Sequence, residues 1–211
     1  MRLLVRQGWY DLLNLVFPPT CVNCGRAGSL LCSICWEESV TLVNEPTSPP
    51  PELDGIVSLA AHTGAIREAI HALKYEAIKD VALPLAEQLG PRIAWSFDTI
   101  VPVPLHAARL QERGYNQAQV LAEALGKVLH CSVTPHMLQR KKFTASQVGL
   151  NAEERQANVK DAFSVQGEAV PRVLLVDDVR TTGATLTACA KALRSAGVTT
   201  IYGATVSVAV Q

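Results

Sequence analysis

The sequence predicts an α/β protein, a mostly parallel sheet flanked by helices, with a small cysteine-rich domain in front of it. Three observations predict this. From Ile56 onward, strand-like apolar runs alternate with stretches in which apolar residues recur three and four apart. Four of the six cysteines, at 21, 24, 32 and 35, fall within fifteen residues. Between the two parts lies NEPTSPPPELDG, residues 44–55, with four prolines and neither period. This reads as an extended linker and divides the chain into residues 1–50 and 51–211.

The elements follow in order. IVSLAA is a strand, GAIREAIHALKYEAIKDVALPLAEQLG one or two helices, and DTIVPVP a second strand. AARLQERGYNQAQVLAEALGKVL reads as helical after a loop, and CSVTPHML as a strand. RKKFTASQVGLNAEERQANV is basic and polar without a clean period, so it reads as a loop with some helix. DAFSV and RVLLVDD are strands, ATLTACAKALRSAG is a helix closed by Gly197, and TTIYGATVSVAV is the last strand. Strands alternating with helices imply parallel pairing with both faces of the sheet covered.

The chain of 211 residues is long enough for one such domain and a small appendage. Nineteen basic and nineteen acidic residues cancel, so no overall field draws it to nucleic acid or anionic lipid, and any basic footprint must be local. The opening MRLLVRQGWYDLLNLVFPPTC is broken by Arg6, Gly8 and Asp11 and has no small-residue cleavage site after it. It reads as a short amphipathic helix ended by Pro18 and Pro19. No window approaches the roughly 18 apolar residues of a membrane span. A cytoplasmic protein is expected.

Cys21, Cys24, Cys32 and Cys35 follow the spacing C-x2-C-x7-C-x2-C. Two tight turns of this kind aim four thiolates at one ion, which gives a closed tetrahedral zinc site with no open position for catalysis. One structural Zn is expected. The alternatives are two disulfides, which a cytosolic setting disfavours, and an iron–sulfur centre. Cys131 and Cys189 sit on apolar patterns and read as core residues.

VLLVDDVRTTGATL, residues 173–186, carries the densest chemistry. In a parallel sheet, ligands bind outside the carboxyl ends of the strands, where Asp177 and Asp178 emerge. The small residues Thr181, Thr182, Gly183, Ala184 and Thr185 then lead into a helix, whose exposed N–H groups suit a phosphate monoester. Carboxylates repel phosphate and suit a neighbouring diol, so the expected ligand is a sugar phosphate. The stretch fits neither a Walker A loop nor a dinucleotide fingerprint. It resembles the phosphoribosyl pyrophosphate (PRPP) motif of type I phosphoribosyltransferases. That resemblance implies that Asp177 and Asp178, the catalytic candidates, hold the ribose hydroxyls, and that Thr181–Thr185 wrap the 5′-phosphate.

Two further loops carry cations. Lys74, Arg109 and Arg113 are candidates for contact with a second anion, while Tyr115 and Asn116 are assigned to local turn and packing. Arg140, Lys141 and Lys142 form the densest basic run, suited to diphosphate or to single-stranded DNA. VPVP followed by RGYNQA, and then Arg140, Gln147, Arg155, Asn158 and Ala162-Phe163, are similar to the ComF/GntX family. The resemblance covers nearly the whole chain from Cys21. It implies a pyrophosphate loop at Arg109 and Arg113, a mobile loop containing Arg140, Lys141, Lys142, Gln147 and Arg155, and Mg²⁺ bound with PRPP. It also implies a role in DNA uptake and natural transformation, with incoming single-stranded DNA and other competence or translocation proteins as partners. Two functions are expected from this: a PRPP-binding module of DNA handling, or an active phosphoribosyltransferase whose acceptor the sequence does not name. No aromatic-rich segment that would recognise a base is visible, since aromatics make up 5% of the chain.

Overall fold

The computed structural model describes residues 17–43, 48–140, 162–168 and 170–209. The amphipathic helix expected before Pro18 lies outside these residues, as do Lys141, Lys142, Gln147, Arg155 and Asn158.

Six strands and six α-helices are described. In the cysteine-rich part, α1 spans Ser33–Ser39. The sheet domain begins with β1 (Gly55–Ala61), α2 (Gly64–Tyr75) and α3 (Ala82–Leu89). Next come β2 (Thr99–Pro102), α4 (Ala107–Arg113) and α5 (Gln117–Leu129). It closes with β3 (Leu138–Arg140), β4 (Phe163–Val165), β5 (Arg172–Arg180), α6 (Ala184–Ser195) and β6 (Thr200–Val208).

The main sheet has the order β1-β6-β5-β2, and every pairing in it is parallel. The period of two along β5 splits its side chains between two cores. Leu174 and Val176 join Ile66, Ile70 and Leu73 of α2 and Leu121 and Leu125 of α5 on one face. Val173 and Leu175 join Leu186, Ala190 and Leu193 of α6 on the other. The expectation of a parallel sheet flanked by helices therefore holds. The reason is that β5 is apolar on both sides and must be covered twice.

Three expectations are corrected. CSVTPHML is not a strand. Val133 makes one isolated bridge to Ile100, and a Met137 N–H to Thr134 carbonyl bond turns the chain before β3 begins at Leu138. Pro135 lacks the N–H a ladder would need. The helical stretch after the second strand is two helices, because Gly114 closes α4 with a φ of 79°. Third, β5 runs past the acid pair to Arg180, with Val179 and Arg180 still paired to Ser207 and Val208.

The cysteine-rich part docks on the sheet domain. Residues 41–43 lie antiparallel to the free edge of β1: the Ala61 N–H donates to the Thr41 carbonyl at 2.8 Å and the Val43 N–H to the Leu59 carbonyl at 3.1 Å. An exposed strand edge is thereby covered. The proline tract does not hang free either. The Asp54 N–H donates to the Ile201 carbonyl at 2.8 Å, and Arg194 of α6 donates to the Asp54 carboxylate at 2.7 Å.

Candidate functional site

Two arrangements of side chains carry chemistry, one in each part of the molecule. In the first, the sulfurs of Cys21, Cys24, Cys32 and Cys35 all lie within 4.8 Å of one another. The Cys24 and Cys32 sulfurs are 3.7 Å apart. A tetrahedral zinc ion with Zn–S bonds of about 2.3 Å holds its sulfurs about 3.8 Å apart. No two of the six cysteine sulfurs are bonded to each other, and the four clustered sulfurs converge on one point as a metal set does rather than as two pairs.

The backbone prepares the set for a cation. The Cys32 N–H donates to the Cys21 sulfur at 3.5 Å, and the Cys35 N–H to the Cys32 sulfur at 3.4 Å. Burial raises the Cys21 thiol, but N–H groups of Cys32, Cys24 and Asn23 outweigh it and bring it down to about 6. The Asn23 amide pulls Cys35 down, yet burial and the three neighbouring thiols push it up to about 12. Four sulfurs this close resist losing all their protons until a dication offsets the repulsion. The donor set fits a structural zinc.

The second arrangement is built at the carboxyl edge of the sheet, on the last residues of β5. Asp178 is 3% exposed. A carboxylate this buried needs partners, and it has two. Lys74, in the last turn of α2, forms an ion pair with its Oδ2. Gln117, 7% exposed in the first turn of α5, donates from Nε2 to Oδ1 at 3.0 Å. The Gln117 side-chain oxygen Oε1 accepts in turn from the Arg113 guanidinium. Lys74 and Arg113, expected as anion contacts, are thus drawn into one network with the acid pair.

Asp177 is different. Its Oδ1 accepts from the Asp178 N–H at 2.9 Å. Burial first, and then the adjacent Asp178 carboxylate, push Asp177 well above the usual carboxylate range, with Lys74 opposing. Two neighbouring acids do not ionise independently. The pair therefore sets the ion-paired carboxylate of Asp178 beside a second acid whose pKa is raised, both at the carboxyl edge of the sheet.

The following loop has the expected character. Thr181 and Thr182 are exposed, and the Ala184 N–H donates to the Thr182 hydroxyl at 3.4 Å. Gly183 has φ +80° and stands directly before the first turn of α6. A Cβ at Gly183 would also come within 2.6 Å of the Pro50 ring, so the position requires glycine twice over. Pro50, in the tract that reads as a linker, is a wall of this loop.

The RGYNQ motif assembles the opposite side. Gly114 ends α4 in the left-handed region, and the Tyr115 hydroxyl donates to the Leu73 carbonyl at the end of α2. The Asn116 side chain accepts from the Ala118 N–H at 3.0 Å as the cap of α5 and donates to the Val103 carbonyl at 2.9 Å. Tyr115 and Asn116 set the turn that places Gln117 under Asp178. Arg109 is exposed on α4. Arg140 lies in β3, its guanidinium 5.5 Å from the Phe163 ring centroid. Burial pulls its pKa down, as does Arg109, while Cys189 and Asp177 raise it. Arg140 therefore lies within electrostatic reach of both Arg109 and Asp177.

Sequence reasoning missed Gln117, Pro50 and the bond between His62 Nδ1 and the Ser207 hydroxyl, 2.9 Å. Burial and Lys74 lower the His62 pKa, against Asp178. Only Gln117 left a signal, as the residue immediately after a cap-forming asparagine. A groove of about 600 Å³, walled by Leu83, Leu110, Tyr115 and Glu123, is lined by neither Asp177 nor Asp178.

Comparison with known proteins adds the following. The profile of a double zinc ribbon domain matches residues 12–47. Competence protein F of Haemophilus influenzae is 45% identical over 105 residues, covering 48% of this chain and 46% of that protein, less than half its length. DNA utilization protein YhgH of Escherichia coli O157:H7 is 31% identical over 193 residues, covering 86% of this chain and 85% of that protein. Among solved structures, orotate phosphoribosyltransferase from Aeropyrum pernix is similar with a TM-score of 0.39 and 18% identity, over 78% of this chain and 72% of that one. Among the described residues, no helix is long and apolar enough to cross a membrane.

Proposed function

The chain belongs to the ComF family, and from that premise we propose that it is a cytoplasmic PRPP-binding protein that serves DNA uptake and the handling of incoming single strands. The observation that carries this reading is the acid pair at the carboxyl edge of β5, followed within six residues by a left-handed glycine and the start of α6. In this reading they supply a diol-binding group and a phosphate-binding group one loop apart. DNA enters through the relatives, which are named for competence and DNA utilization.

In this reading Asp177 and Asp178 bind the ribose hydroxyls, and the backbone of Thr181–Thr185 binds the 5′-phosphate. Arg109 and Arg113 face the pyrophosphate, with Arg140 nearby. Lys74 and Gln117 hold Asp178 in place before the ligand arrives, which lowers the cost of ordering the site. Mg²⁺, carried in with PRPP, would neutralise pyrophosphate charge. Should the C1–O bond loosen, the acid pair lies beside the ribose as it gains positive charge, and the cations lie beside the leaving group.

The test is calorimetric titration of PRPP with Mg²⁺ into zinc-loaded protein, with ribose 5-phosphate as the control. Micromolar binding that prefers PRPP, lost when Asp177→Asn and Asp178→Asn are combined, is the expected result. Equal affinity of the double variant overturns the site. Pyrophosphate release in an acceptor screen then separates an enzyme from a binding module.

A further inference from the structure

We propose that Tyr75 is a stacking platform for an unpaired base of single-stranded DNA at the mouth of the acid-pair site. This rests on the DNA-handling reading above and gives it a place on the surface.

Tyr75 is the last residue of α2 and is 69% exposed. An aromatic ring normally gains by burial, and this one is held in position without being covered. The Arg113 guanidinium lies 5.3 Å from its centroid, and the His71 ring lies 5.0 Å away at 48°. His71 is itself fixed by Glu76, 3.0 Å from Nδ1 to Oε1. A ring oriented by a cation and by a second ring, yet open to solvent, is preorganised for one more planar group.

Its location ties it to the site. The residue before it, Lys74, pairs with Asp178, and the guanidinium beside it bonds to Gln117, which also holds Asp178. The platform is therefore linked to the acid pair by two routes, along the chain through Lys74 and across side chains through Arg113 and Gln117. Arg113 and Arg109, one turn apart on α4, can meet backbone phosphates next to the stacked base when no pyrophosphate occupies them.

The chemistry selects the occupant. Every base has a π-face, so stacking on one aromatic ring tolerates any sequence, but it requires a base that is not already stacked in a duplex. A single strand, read through one base and two arginines, is what this surface fits. The platform also supplies the aromatic contact that the sequence pattern does not reveal.

The experiment uses full-length zinc-loaded protein and an oligo-dT strand carrying one 2-aminopurine, at low and at moderate salt. Wild type should bind and quench the 2-aminopurine fluorescence. Tyr75→Ala should weaken binding about tenfold and abolish the quench, whereas Tyr75→Phe keeps both. The salt dependence of binding should be unchanged in Tyr75→Ala and shallower in Arg113→Ala, because only the arginine meets phosphate. Wild-type affinity and quench in Tyr75→Ala, or no binding of the strand by wild type at low salt, overturns the proposal. PRPP titration of the wild type reports separately on the sugar-phosphate reading, so either can fail while the other stands.

Discussion

The cysteine ribbon and the sheet domain hold together by different means. The ribbon's own buried residues in its cluster are Cys21, Cys32 and Cys35, all candidate metal ligands, packed with Ala65 of α2 and with Leu31 and Val40 against them. The sheet domain buries two extended apolar layers on either side of β5. A segment the size of the ribbon cannot offset its chain entropy by apolar burial, so its folding free energy comes from the metal. The sheet domain has no such dependence. Cohesion and chemistry are also divided differently. In the ribbon the chemically distinctive residues are the core, whereas in the sheet domain they sit at the edge of a core that would pack without them.

The largest effect that tests this contrast is removal of the metal. A structural zinc site contributes about 10–16 kcal/mol of apparent folding free energy. Chelation, or Cys32→Ser, should therefore release one zinc per chain and melt the ribbon while the sheet domain keeps its helical circular dichroism. Elemental analysis that finds no zinc, or iron with sulfide, removes the basis of the contrast. Loss of both domains on chelation would show that the 41–43 strand and the proline tract couple them more tightly than their hydrogen bonds suggest.

A smaller effect is expected in the other direction. Leu174 is fully buried at the centre of the sheet, and Leu174→Ala should cost about 2–5 kcal/mol in a urea melt. Zinc content should be unchanged. A loss below 1 kcal/mol would mean that the face shared by α2 and α5 collapses around the gap.

The smallest effect belongs to pH. Hydrogen bonds from Arg172, its side chain foremost, hold Asp98 below the usual carboxylate range. A carboxyl whose folded pKa is depressed stabilises the fold above its unfolded value of 3.8 and loses that contribution as pH falls through the lower folded value. Melting temperature compared between wild type and Asp98→Asn should differ at neutral pH and converge in that acid window. The pair is at the surface, so the difference should be slight. An equal difference at every pH would assign the effect to packing instead.

Much of both regions was legible in the sequence, for different reasons. The ribbon was readable because its ligands lie within fifteen residues and tight turns need only local spacing. The sheet was readable wherever one element has one period, as in VLLV before the aspartates or GAIREAIHALKY. It was misread where a local rule had competition: CSVTPHML is apolar enough for a strand, but Pro135 and the Thr134 turn prevent a ladder. The acid pair and the small-residue loop were visible because seven of their residues are contiguous or nearly so. Lys74 and Arg113 were identified as cations near a site, but their partners were not.

What the sequence determined by itself is therefore everything written at short range: the four-cysteine cluster, the alternation that makes a parallel sheet, and an acid pair followed by a small-residue loop at a strand end. Only the tertiary structure decided that Lys74 and Gln117 meet on Asp178, that Pro50 walls the loop at Gly183, and that Tyr75 stands open beside them. The physical reason is separation along the chain. A periodic pattern says which face of an element is buried, but the partner of a buried charge is chosen by which elements pack together, and that choice leaves no spacing to read.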